Sequence, residues 1–421
     1  MTALFKNATV FYQNRLQKLD IFVKNGLIVE ISETIAAHSG IRVVDCRNDH
    51  IFPGFTDVHV HLREPGFSYK ETIQSGTLAA AHGGYTTVCA MPNLNPVPDC
   101  AKNLAVQLDL IKKNAVIRVI PYGAVTKGEL GKELSDMASM AGDVVGFSDD
   151  GHGVQSDEMM AVAMQEAKQL QKPIVAHCEI NHLLNGGYIH QGVYAQQHGH
   201  KGICSESEYG QVARDIDCVR RTGCKYHVCH VSTKESVELI RRAKADGLDV
   251  SGETAPHYLV LCEEDLQEDG RFKMNPPLRS KQDKQALIKG IQDGTIEVIA
   301  TDHAPHSAAE KSRGLAKSAM GIVGLETAFS VLYTHLVRNG VITLESLVTL
   351  LSTNPNKRFD VGTVFDVGNA ADFCLYDLDD SYTINPETFC SMGRATPFAG
   401  QTVYGRCKLT VCNGEIVWRD L

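Results

Sequence analysis

The chain has 421 residues, of which 43% are hydrophobic and 22% charged, a composition typical of a globular protein rather than a disordered or fibrous one. Its formal net charge is −9 and no dense basic stripe is present, so we expect no nucleic-acid partner. The sequence contains neither a signal peptide nor a run of about 18 apolar residues, and its 13 cysteines include no CxxC pair. These features predict a cytoplasmic protein that does not enter a membrane.

Both ends of the chain are predicted to form β-structure. The segments ATVFY, LDIFVKNGLIVEI and RVVDC alternate apolar with polar residues or are rich in Val and Ile, and Asn25-Gly26 is a strong hairpin signal. The C-terminal segments ADFCLYD and CKLTVCNGEIVW repeat this style, with a second Asn-Gly pair at Asn413-Gly414. We therefore expect residues 1–54 and 361–421 to pair into one small β-sandwich domain.

The middle of the chain, residues 55–360, predicts an α/β architecture. Short apolar strand candidates alternate with amphipathic helical stretches such as SDEMMAVAMQEAKQLQK and KESVELIRRAKADG, a rhythm typical of parallel β/α units. The eight strand candidates are FTDVHVHL, TTVCAM, VIRVIPYG, VVGFSDD, PIVAHC, KYHVCHV, LDVSGETA and IEVIATDHAP. This pattern favours a (β/α)8 TIM-type barrel. A doubly wound open sheet is the alternative, and it is weakened because no GxGxxG motif follows an early strand.

Residues of metal-ligand type stand where several of these strands end, which is where parallel barrels carry their chemistry. His59 and His61 lie two residues apart, so strand alternation turns both imidazoles to one face, an arrangement that suits zinc. An HxH pair alone is weak evidence, because such a pair is more often hydrogen-bonded or exposed than bound to a metal.

The other strand ends strengthen that interpretation. They supply two more imidazoles, His177 and His230, together with Asp302 and the neighbouring pair Asp149 and Asp150. Four histidines and two carboxylates are too many for one tetrahedral site, and they favour two metals that share a bridging group. The alternative is that these side chains only cap helices.

Strand alternation also predicts which way the side chains next to these candidate ligands face. His227 differs in parity from His230, so we expect it to face the surrounding helices. Cys178 and Cys229 are expected to turn away from the centre and to act as small apolar packing residues. Four further histidines have no neighbours of ligand type and are predicted to play no part in the site: His38, His50, His82 and His335.

Together these residues resemble the amidohydrolase superfamily of metal-dependent barrels and, more narrowly, the bacterial type I dihydroorotases. The matching motifs fall in family order over nearly the whole chain: DVHVHLREPG, AMPNLNP, GFSDDG, AHCE, CHVST, GETAPHYL, MNPPLR and TDHAPH. The segments that follow these motifs are similar as well, with STNPNKRF at the end of the barrel and GNAADFCLYD in the C-terminal part of the predicted β-sandwich domain. The HxH pair indicates only the superfamily, whereas Arg63 with EPG, Asn93 and NPPLR point to the dihydroorotases.

The resemblance implies a zinc-dependent enzyme that reversibly cyclises N-carbamoyl-L-aspartate to L-dihydroorotate with release of water, the third step of de novo pyrimidine (UMP) biosynthesis. Carried over to this chain, His59, His61 and Asp302 hold one zinc, and His177 and His230 hold the second. Many amidohydrolases bridge the two metals with a carboxylated lysine, but FSDDGHG has no lysine nearby and resembles the subgroup that uses aspartate. Its spacing from His177 favours Asp150 over Asp149 as the bridge, and a one-zinc enzyme is the alternative.

The implied chemistry gives roles to further residues. Zinc lowers the pKa of bound water to roughly 7, the resulting hydroxide attacks the ring carbonyl, and Asp302 acts as general base and then as general acid. The planar guanidinium of Arg63 binds the substrate carboxylate, with a surface ion pair to Glu64 as the alternative. The remaining substrate-binding residues implied by the resemblance are Asn93, Asn275, His306 and, in the loop 306–327, Ala319, Met320 and Gly321.

Two other functions stay open at this point. One is a hydantoinase-like or allantoinase-like cyclic amidohydrolase, whose substrates lack the dihydroorotate carboxylate. The other is a non-catalytic barrel that binds aspartate carbamoyltransferase, which is disfavoured because every ligand position is filled. The resemblance also implies a homodimer and an association with aspartate carbamoyltransferase.

Overall fold

The computed structural model describes residues 1–37, 39–47 and 49–420, so the prediction for His38 lies outside the described residues. The strands are β1 (Ala3–Tyr12), β2 (Arg15–Lys24), β3 (Leu27–Ser32), β4 (Arg42–Asp45), β5 (His50–Pro53), β6 (Phe55–Val60), β7 (Tyr85–Ala90), β8 (Arg118–Pro121), β9 (Gly123–Ala124), β10 (Phe147–Ser148), β11 (Ile174–Ala176), β12 (Ile189–His190), β13 (Gly202–Ile203), β14 (Tyr226–Val228), β15 (Val250–Thr254), β16 (Val298–Ile299), β17 (Phe373–Thr383), β18 (Thr402–Cys412) and β19 (Glu415–Arg419).

The α-helices are α1 (Ile73–His82), α2 (Ala101–Asn114), α3 (Met137–Met140), α4 (Asp157–Gln169), α5 (Val193–His198), α6 (Glu206–Thr222), α7 (Lys234–Ala245), α8 (Pro256–Val260), α9 (Lys281–Asp293), α10 (Ala308–Lys311), α11 (Gly314–Lys317), α12 (Ala328–Leu332), α13 (Leu344–Val348) and α14 (Asn354–Phe359). Helices α12 and α13 continue into the π-helical turns Tyr333–Val337 and Thr349–Thr353. Within the described part of the chain, no helix is both long and apolar enough to span a bilayer.

The two chain ends form one sheet, as predicted. Its strand order is β19-β18-β17-β5-β1-β2-β3, with β4 paired to β1, and its strands enclose the apolar core of the small β-sandwich domain. Both Asn-Gly pairs form tight hairpins with positive φ at each residue, at Asn25-Gly26 between β2 and β3 and at Asn413-Gly414 between β18 and β19. The short strand β5, which joins the two halves of the sheet, was not predicted.

Alternation along β17 gives this sheet two buried faces. Phe373 and Leu375 pack in the core of the small domain. Cys374 and Tyr376 point the other way, into the larger core that the sheet shares with the barrel, and the Tyr376 hydroxyl donates to the Gly83 carbonyl oxygen at 2.8 Å. The small domain is therefore packed firmly against the end of α1.

The barrel contains all eight predicted strands. Its parallel pairings run β6-β7-β8 and β9-β10-β11-β14-β15-β16, and β8 and β9 are separated only by Tyr122, so together they are the third barrel strand. A parallel bridge between Val60 and His303 joins the first strand to the end of the last. The sheet is thus closed, and the open doubly wound alternative is wrong. The helices that separate the strands include the two predicted from amphipathic patterns, α4 and α7, which begin after the capping residues Ser156 and Thr233.

The barrel interior shows where simple alternation fails. It is filled by apolar side chains from seven of the eight strands: Val58, Cys89, Tyr122, Val145, Val175, Cys229, Val298 and Ala300. The prediction that Cys229 turns away from the centre is therefore wrong, and so is the prediction that His227 faces the helices. His227 is fully buried, 3.1 Å from Glu253 Oε2. The physical reason is a left-handed residue, His230 with φ 34°, which reverses the alternation, so that His227, Cys229 and His230 all face inward.

Two of the contacts between the small domain and the barrel involve the end of α1 and the start of β8. One is the apolar packing around Tyr376. The other is Arg118 at the start of β8, whose Nη1 donates to Asp372 Oδ2 at 3.0 Å and whose Nη2 donates to Asn413 Oδ1 at 2.7 Å. Asp372 is buried and Arg118 is only partly exposed, so this ion pair is more shielded from solvent than a surface pair.

Replacing Arg118 with Met is expected to lower the free energy of unfolding by about 2 kcal/mol, because it leaves the buried Asp372 carboxylate without its cation. Arg220→Met is the matched control, because its partner Asp246 is exposed, with side-chain exposures of 52% and 49%. That loss is expected to stay below about 1 kcal/mol. Denaturant unfolding of both variants measures the difference, and equal losses would contradict the prediction.

Candidate active site

The six side chains predicted to bind metal come together at the carboxyl ends of the barrel strands. They are His59, His61, Asp150, His177, His230 and Asp302, and all are buried. Asp150 lies at the centre of the group. Its Oδ1 is 3.4 Å from His59 Nε2 and 3.6 Å from both His177 Nδ1 and His230 Nε2, and its Oδ2 is 3.4 Å from His61 Nε2.

Asp302 lies on the other side of the histidine pair. Its Oδ1 is 3.2 Å from His61 Nε2 and 3.6 Å from His59 Nε2. Burial raises the pKa of Asp302, but the neighbouring imidazoles of His61 and His59 outweigh burial and hold that pKa below its ordinary value. The carboxylate is therefore ionised at neutral pH.

Asp149 and Asp150 have different surroundings. Asp149 accepts hydrogen bonds from the main-chain N–H groups of Val125 and Thr126 at 2.8 and 3.0 Å, and from the Thr126 hydroxyl. Its carboxylate is used to hold the end of the third barrel strand. Of the pair, Asp150 is the residue whose carboxylate lies among the histidines.

Unpaired polar atoms at this cluster indicate what it can bind. His59 Nε2, Asp150 Oδ1 and His177 Nε2 are buried and have no hydrogen-bond partner among the described residues, although buried polar atoms almost always have one. Two groups of three ligand atoms each lie within 4.8 Å of one another, His59–His61–Asp302 and His59–Asp150–His230. Imidazole nitrogen and carboxylate oxygen are common ligands of divalent metals, so this cluster can hold a metal ion.

Glu253 holds the ring of His59 on the side away from the pocket, a role that was not predicted from the sequence. Its Oε1 is 2.6 Å from His59 Nδ1 and its Oε2 is 3.1 Å from His227 Nε2. Burial lowers the pKa of His59, but Asp150 and Glu253 outweigh burial and raise it well above its ordinary value. A carboxylate behind a ligating histidine fixes which ring nitrogen faces the metal. The sequence feature that could have indicated this role is the position of Glu253 in the motif GETAPHYL, on strand β15.

A pocket of about 230 Å³ opens above the cluster. Five of the six candidate ligands line it, and His59 is fully buried beneath them. The predicted substrate-binding residues that line the same pocket are Arg63, Asn93, Asn275, His306, Met320 and Gly321. Ala319 is not among the lining residues, because its main-chain N–H donates to Glu310 O and its carbonyl oxygen accepts from Lys311 Nζ.

Arg63 is a buried cation that lacks a negatively charged partner among the described residues. Its Nε donates to the Pro305 carbonyl oxygen at 3.1 Å, and within the described residues it forms no ion pair with a carboxylate. Burial lowers its pKa. The alternative of a surface ion pair with Glu64 is wrong, because Arg63 is buried and Glu64 Oε2 instead accepts from the Ile73 N–H at 2.8 Å. A ligand carboxylate in the pocket would supply the missing partner.

His306 lies beside Arg63 and is neutral. Its Nε2 is 2.8 Å from the Met320 carbonyl oxygen, so this nitrogen carries the proton, and its Nδ1 is 3.3 Å from Lys70 Nζ. Burial, together with the charges of Arg63 and Lys70, lowers the pKa of His306 to about 3. Lys70 was missed by the sequence analysis, since nothing in its neighbourhood along the chain indicates that it reaches this end of the pocket.

The two asparagines, Asn93 and Asn275, each form a hydrogen bond to one side chain near the pocket. Asn93 Oδ1 is 2.9 Å from His61 Nδ1, so this amide orients His61 as well as lining the pocket. Asn275 Nδ2 donates to Glu179 Oε1 at 2.9 Å, and its Oδ1 is buried without a partner in the part of the chain that the structure describes. Both amides therefore keep a polar group available to a ligand.

Comparison with known proteins adds to this geometry. The chain is 49% identical over 419 residues to a dihydroorotase of Fusobacterium nucleatum, covering 99% of this chain and 98% of that protein. It is 48% identical over 424 residues to a dihydroorotase of Anoxybacillus flavithermus, covering 100% and 99% of the two chains. A family model described as dihydro-orotase-like matches residues 49–236.

Solved structures of related enzymes share the fold. The L-hydantoinase (dihydropyrimidinase) from Arthrobacter aurescens aligns with a TM-score of 0.88 at 25% identity, covering 100% of this chain and 96% of that one. A dihydropyrimidinase from Brevibacillus agri aligns with a TM-score of 0.86 at 25% identity, covering 100% and 95%. Because the identity to dihydroorotases is nearly twice as high and extends over the whole of both chains, this protein belongs to the dihydroorotase family.

Proposed function

We propose that this protein is a zinc-dependent dihydroorotase that interconverts N-carbamoyl-L-aspartate and L-dihydroorotate in pyrimidine biosynthesis. The observation that carries the proposal is the pocket itself. It places a buried guanidinium without an ion-pair partner, Arg63, opposite a cluster of four histidines and two aspartates. A small cyclic amide that bears a carboxylate satisfies both ends of that pocket.

The donor set fits zinc, and two ions per subunit fit the number of ligands. His59, His61 and Asp302 would hold one ion, and His177 and His230 the other, with Asp150 between them. The unpaired buried atoms of His59, Asp150 and His177 support this assignment. Zinc bound there would lower the pKa of a water molecule to roughly 7 and polarise the amide carbonyl of the substrate.

The chain's own residues supply binding and proton transfer. Asp302 is ionised and lines the pocket, so its carboxylate can take a proton from the attacking water and return it to the ring nitrogen. The same two transfers in reverse order serve the cyclisation direction. Arg63 binds the substrate carboxylate bidentately, the unpaired oxygen of Asn275 accepts from the ring, and the main chain at Met320 and Gly321 closes one side of the pocket.

A hydantoinase-type or allantoinase-type activity is the second candidate, because the solved structures that share the fold include hydantoinases. Such substrates carry no equivalent carboxylate, so they would leave Arg63 without a partner. That buried, unpaired cation favours dihydroorotate. A non-catalytic barrel is disfavoured because every metal-ligand and substrate-binding position carries a residue of the expected type.

Location and assembly are part of the same proposal. We infer a cytoplasmic protein, since a chain with 13 cysteines and no CxxC pair suits a reducing compartment. A homodimer and an association with aspartate carbamoyltransferase are expected from the family resemblance. Sedimentation of the protein alone, and then mixed with that enzyme, measures both.

Removal of metal is expected to abolish turnover. Chelator-treated protein should lose dihydroorotate hydrolysis, and added zinc should restore it, because no side chain in the pocket replaces the nucleophile that the metal provides. Spectrophotometric assay together with metal analysis measures both effects. Full activity in protein shown to be free of metal would contradict the proposal.

Asp150→Asn is expected to lower the zinc content of the purified protein, because it removes the carboxylate that lies among four imidazoles. Asp149→Asn is the matched control. It should retain zinc but lower the unfolding temperature, because Asp149 accepts three hydrogen bonds from Val125 and Thr126. Loss of zinc in the Asp149 variant with retention in the Asp150 variant would reverse the assignment of the bridge.

Arg63→Ala is expected to lower kcat/KM for dihydroorotate by about 100-fold or more, because a buried carboxylate loses its charged partner. Arg63→Lys should recover only part of this loss, since an ammonium does not reproduce the bidentate fork. Assays on dihydrouracil, which lacks the carboxylate, are the control. A variant with undiminished activity on dihydroorotate would favour the hydantoinase-type function.

A further inference from the structure

Asp302 is held in a backbone conformation that needs support. Its φ is 48°, in the left-handed region, where a residue with a side chain is strained and remains only if its surroundings hold it there. The neighbours on both sides of Asp302 are buried and hydrogen-bonded. These neighbours therefore determine where the Asp302 carboxylate lies.

Thr301, on the N-terminal side, is held by Asp57. Asp57 Oδ2 accepts from the Thr301 N–H at 3.0 Å and from its hydroxyl at 2.6 Å. Asp57 Oδ1 accepts from the His59 N–H at 3.0 Å. One buried carboxylate thus links the two strands that carry His59 and Asp302.

His303, on the C-terminal side, is fully buried and has no part in the chemistry proposed above. Its carbonyl oxygen accepts from the His61 N–H at 2.9 Å. The Gly324 N–H points at its Nδ1 at 3.3 Å, so Nε2 carries the proton, and Nε2 lies 3.4 Å from both Glu71 Oε2 and Ser391 Oγ. The ring is fixed between the loop after the last barrel strand and a carboxylate of the loop after the first.

Glu71 is in turn held by the small β-sandwich domain. The segment of residues 390–395, which we name the strap, crosses from that domain onto the barrel loops. The Met392 N–H donates to Glu71 Oε1 at 3.1 Å and the Ser391 hydroxyl donates to Glu71 Oε2. Glu71, Ser391 and His303 are all fully buried, and a Cβ at Gly393 would lie 2.8 Å from Pro305 Cβ. The strap therefore packs directly on the loop that follows Asp302.

We propose that Glu71 is a positioning residue for the reaction: anchored by the strap, it holds His303, and through His303 it holds Asp302 and the His61 main chain in their working geometry. The small β-sandwich domain then contributes to turnover as well as to stability. This inference rests on the proposed dihydroorotase activity. It concerns a residue that touches neither substrate nor metal.

The test is Glu71→Gln, which keeps the size of the side chain but replaces one acceptor oxygen with an amide donor. We expect kcat to fall about 10- to 100-fold, the size of effect typical when a group that orients a ligand is removed, while KM for dihydroorotate and zinc content stay near wild type. In crystals of the variant, the His303 ring and the Asp302 carboxylate should be displaced. Unchanged kcat would overturn the proposal.

Glu326→Gln is the matched control. Glu326 is also a buried carboxylate that holds the strap, accepting from the Cys390 and Ser391 N–H groups at 2.8 and 3.3 Å, but it bonds to His82 rather than to His303. This variant is expected to lose thermal stability and to keep kcat near wild type. An equal fall in kcat for both variants would show that a loosened strap, not the Glu71–His303 contact, causes the effect.

Ser391→Ala is a milder variant in case Glu71→Gln does not fold. It removes a hydroxyl that donates to Glu71 Oε2 and lies 3.4 Å from His303 Nε2, so it is expected to lower kcat in the same direction but by less, with no further loss when combined with Glu71→Gln. Additive losses would overturn the proposed chain of contacts. The wild-type protein is assayed first with zinc, so absence of turnover there would count against the proposed function and not against the role of Glu71.

Discussion

Burial of two carboxylates among four imidazoles is the constraint on which the rest of this structure depends. Charged and polar groups removed from water destabilise a protein unless they are paired, hydrogen-bonded or bound to a metal. Asp150 and Asp302 meet this requirement only because the barrel brings the ends of five different strands within a few ångströms. The unpaired atoms that remain, on His59, Asp150 and His177, are the ones that a divalent cation would satisfy.

Three further buried carboxylates support that cluster, each from a different part of the chain. Glu253 fixes the ring of His59, Asp57 links Thr301 to the His59 main chain, and Glu71 holds His303. Because two of the candidate metal ligands, His230 and Asp302, have left-handed φ angles, their positions depend on such contacts. The small domain takes part in this support, since the strap brings main-chain and hydroxyl donors to Glu71.

The pocket above the cluster is asymmetric in charge. Its floor carries the carboxylates and imidazoles of the metal-binding cluster, and its side carries Arg63 with the neutral His306 and the nearby Lys70. A substrate with a carboxylate at one end and an amide at the other is oriented by this asymmetry before any bond changes. The L-hydantoinase from Arthrobacter aurescens shares the fold, so the fold alone does not discriminate between substrates.

Much of this arrangement could be predicted from the sequence, because apolar strands at regular spacing specify a barrel and ligand-type residues at strand ends identify its active face. The eight strands, both Asn-Gly hairpins and the group of His and Asp residues were predicted in this way, since each depends on local pattern. The inward orientation of His227 and Cys229 and the position of Lys70 beside the pocket were not predicted. The roles of Glu253 and Glu71 were not predicted either. Whether a side chain faces the interior after a left-handed residue, and which distant carboxylate lies behind a histidine, are decided only when strands far apart in the chain are packed together.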